Sequence, residues 1–336
     1  ANMVVDTPIG KKTFKTFLDN PVSTTMSLVI LYRGDIVFEY YPHQEDYEKP
    51  IYWSVTKIIV STLIGILEEE GLVDITKPVS NYIKDLKNSS YGRITIENLL
   101  NMASGFDCAD NYFDRSSCYY RYSSAIGDGY WTEESPYNPY HFVASLEPKV
   151  IAPQGTKYQY SGVDTFVLGW LIETVLGMPL QDAITKKIWM KIGAEADGLM
   201  IAPRNGIPVI HGGLMIRPRD AARFGLLFTP SYKKVASSRL VSESFIKRIS
   251  FIPSNLQFDK RKQSQNGELF AHSAYQWDAI FSNSDYFKGG WAGQGILVNP
   301  QKDLVAVYTG YAIDDNESQP DLLPILRQLL NHIYPS

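Results

Sequence analysis

Residues 53–60 read Trp-Ser-Val-Thr-Lys-Ile-Ile-Val, and they open an apolar run of helical length that ends at Gly71. It contains the pattern Ser-x-x-Lys. Residues three apart share one face of a helix, so Lys57 is predicted to lie beside Ser54. A serine hydroxyl becomes a nucleophile when a neighbouring base takes its proton, and a lysine with a lowered pKa is such a base. The pattern predicts a nucleophile with its base; an N-capping Ser54 beside a surface Lys57 is the plainer alternative.

The composition is that of a globular protein. The 336 residues favour one large domain or two closely packed ones, and 44% hydrophobic with 20% charged residues gives no sign of disorder. A net charge of −4 argues against a nucleic-acid partner. No apolar run reaches the roughly 18 residues that a membrane span needs. No signal peptide is visible either, although removal of one before Ala1 would leave this start.

The chain has two cysteines, Cys108 and Cys118, in a polar, tyrosine-rich segment. A disulfide between them would indicate an oxidising compartment, and two free thiols are the alternative. We expect a periplasmic or secreted protein, with a cytoplasmic location as the alternative. The sequence has no Cys-x-x-Cys, no His-Glu-x-x-His and no histidine cluster, so neither a metal nor another cofactor is predicted.

Strand patterns lie near both ends of the chain, and helical patterns lie between them. Residues 25–33 and 36–41 predict a hairpin, and residues 295–299 and 304–309 predict two more strands around a tight turn. Helices are predicted from Ser54 to Glu70 and over residues 95–102, 165–176, 180–192, 217–227, 242–250 and 322–333.

This order predicts an α+β fold, in which strands from both chain ends form an antiparallel sheet flanked by helices. We place the sheet domain at residues 1–75 and 230–336 and an inserted, mainly helical subdomain at residues 76–229. The active site is expected in the cleft between them.

Residues 106–139 are rich in Gly, Pro, Asp, Ser and Tyr and predict a long irregular segment. Such segments are usually functional or mobile. Tyr112 and Trp131 are therefore candidate lid residues over the cleft. The alternative is a surface excursion closed by a Cys108–Cys118 bridge.

A second motif lies about a hundred residues after Ser-x-x-Lys. Residues 153–162 read Pro-Gln-Gly-Thr-Lys-Tyr-Gln-Tyr-Ser-Gly and precede a predicted helix. Together with Ser-x-x-Lys, this segment resembles the penicillin-recognising serine hydrolases, the superfamily of class C β-lactamases, DD-peptidases and related esterases. The matching tyrosine is Tyr160, because its spacing from Gly155 and Gly169 fits the class C pattern. Tyr158 fits less well and is assigned to the pocket wall or the core.

The resemblance implies a β-lactamase-like fold and a third motif on a strand ahead of the C-terminal hairpin. Trp291-Ala292-Gly293 is placed where the family has Lys-Thr-Gly or His-x-Gly. The backbone N–H groups of Ser54 and Gln294 would then form the oxyanion hole.

Further phrases extend the resemblance over roughly residues 25–330, among them residues 70–79, 99–105 and 212–225. Residues 188–197 are similar to the branch that contains 6-aminohexanoate-dimer hydrolase and its carboxylesterase relatives.

Two departures from the family pattern bear on the substrate. Gly162 stands where Tyr-x-Asn has its asparagine, and Trp291 stands where Lys-Thr-Gly has its lysine. In β-lactam and peptidoglycan enzymes that lysine helps to bind a substrate carboxylate. Its replacement favours an esterase or amidase that acts on a less anionic substrate. Lys288 is the alternative cation, although a solvated surface position is expected for it.

The resemblance implies hydrolysis through an acyl-enzyme on Ser54, with Lys57 and Tyr160 as general base and acid and a small ester, amide or peptide-like molecule as substrate. One alternative is a β-lactamase or DD-peptidase, that is, a penicillin-binding protein. Another is a non-catalytic binding or sensory module that keeps the fold. An unrelated serine hydrolase fold is disfavoured because the chain has no Gly-x-Ser-x-Gly.

Overall fold

A seven-stranded antiparallel sheet forms the centre of the computed structural model, which describes residues 2–251, 253, 255–258, 268–313 and 322–335. Its strand order is β4-β3-β11-β10-β9-β8-β7, and β1 with β2 and β5 with β6 form two small hairpin-like pairs. The strands are β1 (Val4–Thr7), β2 (Gly10–Thr13), β3 (Thr25–Tyr32), β4 (Asp35–Tyr40), β5 (Leu199–Met200), β6 (Leu214–Met215), β7 (His272–Ala274), β8 (Trp277–Ile280), β9 (Tyr286–Gly290), β10 (Gln294–Asn299) and β11 (Leu304–Gly310).

Helices cover both faces of this sheet and fill the middle of the chain. They are α1 (Phe14–Leu18), α2 (Thr56–Glu69), α3 (Ile96–Leu100), α4 (Cys118–Ile126), α5 (Pro139–Ala144), α6 (Gly162–Leu176), α7 (Leu180–Lys187), α8 (Pro218–Leu226), α9 (Glu243–Ile249) and α10 (Leu322–Ile333). The α+β fold predicted from the sequence is confirmed.

The central strands are apolar on both sides because both faces of the sheet are covered. On β3, Val29 and Leu31 belong to the large core shared with α2 and α6, whereas Leu28 and Ile30 belong to a second core shared with α1 and α10. Strands buried on both faces have continuous apolar runs instead of alternation, which is what made β3, β10 and β11 visible in the sequence. The predicted hairpin of β3 and β4 and the final helix α10 are present.

Strands β7 and β8 were not predicted, and the strand expected ahead of the C-terminal hairpin was placed at residues 291–293, just after β9. The sequences of these three strands are short and carry polar residues such as Asp278 and Lys288, and β9 ends in two glycines. Those features give no strand signal. The three strands nevertheless extend the sheet by antiparallel pairing beyond β10.

Helix α8 packs against the central sheet. A Cβ added at Gly225 would lie 2.6 Å from Val305 Cγ1 and 3.3 Å from Ile296 Cδ1, so this helix lies directly on the sheet. The apolar side of α8 therefore belongs to the sheet layer, although the sequence order placed it in the helical subdomain.

The segment 106–139 is less irregular than predicted. Ser117 caps α4 by accepting a hydrogen bond from the Tyr120 N–H, and the helix ends at Gly127, whose φ of 95° is left-handed. Buried tyrosines hold α4 against the core: Tyr119 and Tyr122. Their polar hydroxyls concealed the helix from a pattern based on aliphatic residues.

Helix α10 is fastened to the sheet by a buried ion pair. Arg327 Nε donates to Asp285 Oδ2 at 2.8 Å, and the guanidinium lies 3.4 Å from the centroid of the Phe281 ring. A second guanidinium nitrogen donates to Asn283 Oδ1 at 3.0 Å, and Glu268 is a further partner.

Replacing this cation should destabilise the protein strongly. Arg327→Met leaves the buried Asp285 carboxylate without its counter-charge, and we expect the free energy of unfolding to fall by about 3 kcal/mol. Urea denaturation measures this change. Gln328→Ala, at the exposed neighbouring position, is the matched control and should change it by less than about 0.5 kcal/mol. Equal losses in both variants would contradict the assignment.

Candidate active site

Ser54 lies in a short 3-10 turn, Trp53–Val55, that leads directly into α2. Trp53 has a φ of 44°, a left-handed conformation that bulky residues rarely adopt. Strand β6 holds the surrounding backbone, since the Tyr52 N–H donates to Leu214 O and the Leu214 N–H donates to Thr56 Oγ1. The sharp bend therefore presents Ser54 at the N-terminal end of the helix in a fixed position.

The Lys57 amine is the buried partner of Ser54. Its side chain is 0% exposed, and Nζ is 3.0 Å from Ser54 Oγ and 2.9 Å from the carbonyl oxygen of His211. The predicted adjacency of serine and lysine is thus present. Burial lowers the pKa of Lys57 to about 8, against the opposing effect of the Asp110 carboxylate. At mildly alkaline pH a large fraction of this amine is neutral and able to accept a proton.

Tyr160 lies between two lysines. Lys288 Nζ donates to the Tyr160 hydroxyl at 3.1 Å, and the Lys57 and Lys288 nitrogens lie 4.9 and 4.6 Å from the centroid of its ring. Burial, followed by the nearby Asp278 and Asp110 carboxylates, raises the pKa of Tyr160 well above its usual value, and a hydrogen bond with Ser54 acts in the opposite direction. The raised pKa favours a neutral phenol at Tyr160.

The solvated surface position expected for Lys288 is wrong. Its side chain is 0% exposed, with Nζ 2.5 Å from Asp278 Oδ1, while Asp278 Oδ2 accepts the Gly289 N–H at 2.9 Å. Alternate residues of a strand share a face, so Lys288 and Gly290 face the same side of β9. A Cβ at Gly290 would lie 2.3 Å from the carbonyl oxygen of Tyr52, so this side of β9 faces the segment that carries Ser54.

The strand ahead of the C-terminal hairpin thus ends at Gly290, directly before the residues expected to carry the third motif. Lys288-Gly289-Gly290 occupies the strand, whereas Trp291-Ala292-Gly293 forms the turn between β9 and β10. Ala292 and Gly293 have φ values of 64° and 83°, which suit a tight turn and not a strand. The sequence did not reveal the bounds of β9, because a lysine followed by two glycines is more typical of a loop than of a strand.

Gln294 begins β10 opposite Gly290. Its side-chain amide donates to the carbonyl oxygens of Gly310 and Ala292 at 2.9 and 3.2 Å and accepts the Gly310 N–H. These bonds fix the β9–β10 turn next to the site. The role predicted for its backbone N–H in an oxyanion hole stays a prediction.

Gly162 is the first residue of α6, two residues after Tyr160. Its N–H donates to Asp110 Oδ1 at 2.5 Å. A Cβ at this position would lie 3.0 Å from the Tyr119 ring and 3.1 Å from the His211 ring. Neighbouring side chains thus fill the space that the family's asparagine side chain would need.

His211 was missed as a site residue. Its Nδ1 lies 2.8 Å from the Tyr122 hydroxyl, and its Nε2 lies 3.2 Å from the Tyr119 hydroxyl and 3.4 Å from Asp128 Oδ2. These contacts fix the backbone whose carbonyl binds Lys57. A backbone acceptor has no sequence signal, although His211 directly precedes the Gly212-Gly213-Leu214 phrase that supported the resemblance.

Aromatic rings line the approach to Ser54. Trp53 and Trp291 pack edge to face with centroids 5.5 Å apart, and Trp291 is 46% exposed. Tyr158 packs against Phe258 at 5.5 Å, in agreement with a place in the wall or the core.

The two candidate lid residues have different surroundings. Tyr112 packs edge to face against Tyr119, the ring that contacts His211 and faces Gly162. For Trp131 the described contact is with Arg204, whose guanidinium lies 5.1 Å from the ring centroid. Tyr112 is thus linked to the site, and the described contacts do not link Trp131 to it.

Cys108 and Cys118 form a disulfide. This settles the question that the sequence left open. The bridge joins two cysteines that are ten positions apart and closes a loop that carries Asp110 and Tyr112. Cys118 is also the first residue of α4. The loop is therefore tied to the helical core beside the site.

Within the described ranges, no group of three or more His, Cys, Asp or Glu side chains is arranged to hold a metal ion. No single described helix is long and apolar enough to cross a membrane, and one bent pair, Gly162–Leu176 with Leu180–Lys191, qualifies by length and composition alone.

Comparison with known proteins gives concordant matches. The model of the beta-lactamase family matches residues 11–311. The 6-aminohexanoate-dimer hydrolase of Paenarthrobacter ureafaciens is 25% identical over 291 residues, which is 84% of this chain and 71% of that protein. A structure described as a putative 6-aminohexanoate-dimer hydrolase from Bacillus anthracis has a TM-score of 0.80 at 22% identity and covers 100% of this chain and 86% of its own.

A further solved structure is EstCE1, described as a hydrolase with promiscuous acyltransferase activity. It has a TM-score of 0.70 at 15% identity, with 94% of this chain and 95% of its own covered. At these identities the solved structures show the shared fold.

Proposed function

Because the chain belongs to the beta-lactamase family of serine hydrolases, we propose that it cleaves ester or amide bonds through an acyl-enzyme formed on Ser54. The observation that carries the proposal is the buried Lys57 amine 3.0 Å from Ser54 Oγ. The 6-aminohexanoate-dimer hydrolase that is 25% identical supports this class of reaction, and a hydrolase with promiscuous acyltransferase activity has the same fold.

In acylation, neutral Lys57 accepts the Ser54 proton while the serine oxygen bonds to the substrate carbonyl carbon. The Tyr160 phenol donates its proton to the departing alcohol or amine, and proton transfer from Lys57 then restores both groups. Water cleaves the acyl-enzyme in the second half of the reaction. Its proton passes through the Tyr160 phenol to the neutral Lys57 amine, and it returns to Ser54 Oγ as the acyl group leaves.

The backbone supplies the oxyanion site in this proposal. One donor is the Ser54 N–H at the start of α2, where unpaired N–H groups and the helix dipole favour negative charge. The other comes from the β9–β10 turn, which includes Gln294.

A small and weakly anionic substrate fits this site best. The Lys288 charge is balanced by Asp278 and directed at Tyr160, and the approach is bordered by the Trp53 and Trp291 rings. Apolar acyl groups pack well against such rings.

A β-lactamase or penicillin-binding protein is the second candidate. One observation favours it: Lys288 is a cation on the strand where the family places its third-motif lysine. Its pairing with Asp278 weakens this reading, because a balanced cation attracts a substrate carboxylate less strongly.

The disulfide is evidence about the cellular compartment of the protein. Disulfides persist in oxidising compartments, so the Cys108–Cys118 bridge supports a periplasmic or secreted protein. A cytoplasmic location is the alternative.

Covalent labelling tests the nucleophile. Mixing the protein with a fluorophosphonate should add one phosphonyl group to its intact mass, and Ser54→Ala should abolish this addition. p-Nitrophenyl butyrate should be turned over, whereas a penicillin should leave no stable adduct.

Ser61→Ala, in the buried part of the same helix, is the matched control and should label normally. A long-lived penicilloyl adduct on Ser54 would indicate a penicillin-binding protein. Absence of every adduct and of turnover would contradict the hydrolase assignment and leave a binding module.

The pH dependence of kcat/KM should report the Lys57 base. Activity should rise with pH and reach half its maximum near pH 8, because the ammonium form, present below the pKa of Lys57, accepts no proton. The raised pKa of Tyr160 predicts no alkaline loss below about pH 10. Initial rates with p-nitrophenyl butyrate, corrected for spontaneous hydrolysis, measure the profile. An acid limb between about pH 4 and 6 would instead indicate a carboxylate base.

A further inference from the structure

Asp110 lies in the disulfide-closed loop and touches both halves of the site. We propose that Asp110 is a positioning residue for Lys57. The Asp110 carboxylate stabilises the Lys57 ammonium that forms when Ser54 gives up its proton. This inference rests on the proposed function, because it gives Asp110 a role in the acylation step. The sequence motifs gave no signal for it.

The backbone and side chain of Asp110 are both fixed to the tyrosine motif. The Asp110 N–H donates to the carbonyl oxygen of Tyr160 at 3.3 Å, and Oδ1 accepts the Gly162 N–H at 2.5 Å. Gly162 begins α6, where the helix dipole favours a negative charge. The carboxylate is thus held in place independently of Lys57.

The other carboxylate oxygen is directed towards the base. Asp110 Oδ2 lies 4.0 Å from Lys57 Nζ, and the Asp110 side chain is only 6% exposed. Among the described residues this buried oxygen has no hydrogen-bond partner. An oxygen withdrawn from water in this way needs compensation, which a nearby cation provides.

The two states of Lys57 use different partners. The neutral Lys57 amine needs only the two hydrogen bonds that the structure shows, one with Ser54 Oγ and one with the His211 carbonyl oxygen. An ammonium has three N–H donors and a full positive charge, and the Asp110 carboxylate oxygen 4.0 Å away supplies a negative charge to it. The carboxylate therefore stabilises the state after proton transfer more than the state before it, as acceleration of that step requires.

Gly162 and Asp110 form a matched pair. A Cβ at Gly162 would lie 3.2 Å from Asp110 Oδ1, in addition to its close approach to Tyr119 and His211. A side chain at position 162 would press on all three neighbours, which would have to shift by a few tenths of an ångström to admit it. The chain thus has a carboxylate from the loop where the family motif has an amide from the helix.

Several charges act on Lys57, and they come from different elements. Asp110 contributes the largest favourable charge, Asp278 on β8 and Asp128 after α4 contribute less, and Lys288 on β9 opposes them. The His211 ring contacts Asp128. Replacing Asp110 by the isosteric asparagine removes one of these charges with little change of shape.

The test is the rate at which a fluorophosphonate labels Ser54 between pH 5 and 10, followed by intact mass. In Asp110→Asn we expect the acid limb to move about one pH unit lower, because Lys57 loses a stabilising anion. We also expect the plateau rate to fall at least about tenfold, because the ammonium is no longer compensated. Asp107→Asn, the same change at an exposed position of the same segment, should alter neither quantity.

Asp110→Ser is a second variant that removes the charge with a smaller side chain, and it should shift the limb in the same direction. Circular dichroism and thermal melting identify any variant that has unfolded. Labelling of the native protein with an unchanged limb in both variants would overturn the role of Asp110 and leave the hydrolase assignment intact. A lower plateau without a shift of the limb would also overturn it, because loss of structure alone gives that result. Absence of labelling in the native protein would overturn both proposals.

Discussion

The burial of the Lys57 amine beside Ser54 is the constraint on which the site depends. An ammonium without solvent is costly, so a buried lysine shifts towards its neutral form. Here the pKa falls to about 8 and not further, because the Asp110 carboxylate opposes the effect of burial. The resulting amine is basic enough to take a proton and is neutral often enough to be useful near physiological pH. The surrounding elements keep water away from this amine, align it with Ser54 and partly balance the charge of its ammonium form.

Three distant parts of the chain meet at this amine. The start of α2 supplies Ser54 and Lys57, the segment before α6 supplies Tyr160, and β9 supplies Lys288. The sheet gives β9 a rigid position, and the disulfide joins the Asp110 loop to α4. Rigid supports of this kind matter because proton transfer depends on distances that change by fractions of an ångström.

The sequence revealed the site where the chemistry is local. Ser54 and Lys57 are one helical turn apart, so their spacing predicted that they are neighbours. Tyr160 was assigned through the family resemblance, from its spacing to Gly155 and Gly169. Lys288 was placed at the surface because its strand is short, polar and rich in glycine. Asp110 escaped notice because its contacts are made to residues more than fifty positions away. The reason for a glycine at position 162 was hidden for the same reason, because the side chains that pack around it come from distant parts of the sequence. The fold was more predictable than the site, since the apolar strands and helices of the core are continuous in sequence.

The most direct measurement is the ionisation of Lys57 itself in the resting protein. Lysine labelled with ¹³C at Cε, with the Lys57 signal assigned by its loss in Lys57→Arg, can be followed by NMR from pH 6 to 11. The account predicts a titration midpoint near 8. A midpoint at or above the usual 10.5 would mean that the amine remains an ammonium throughout the working range, and it would contradict the role of Lys57 as the base.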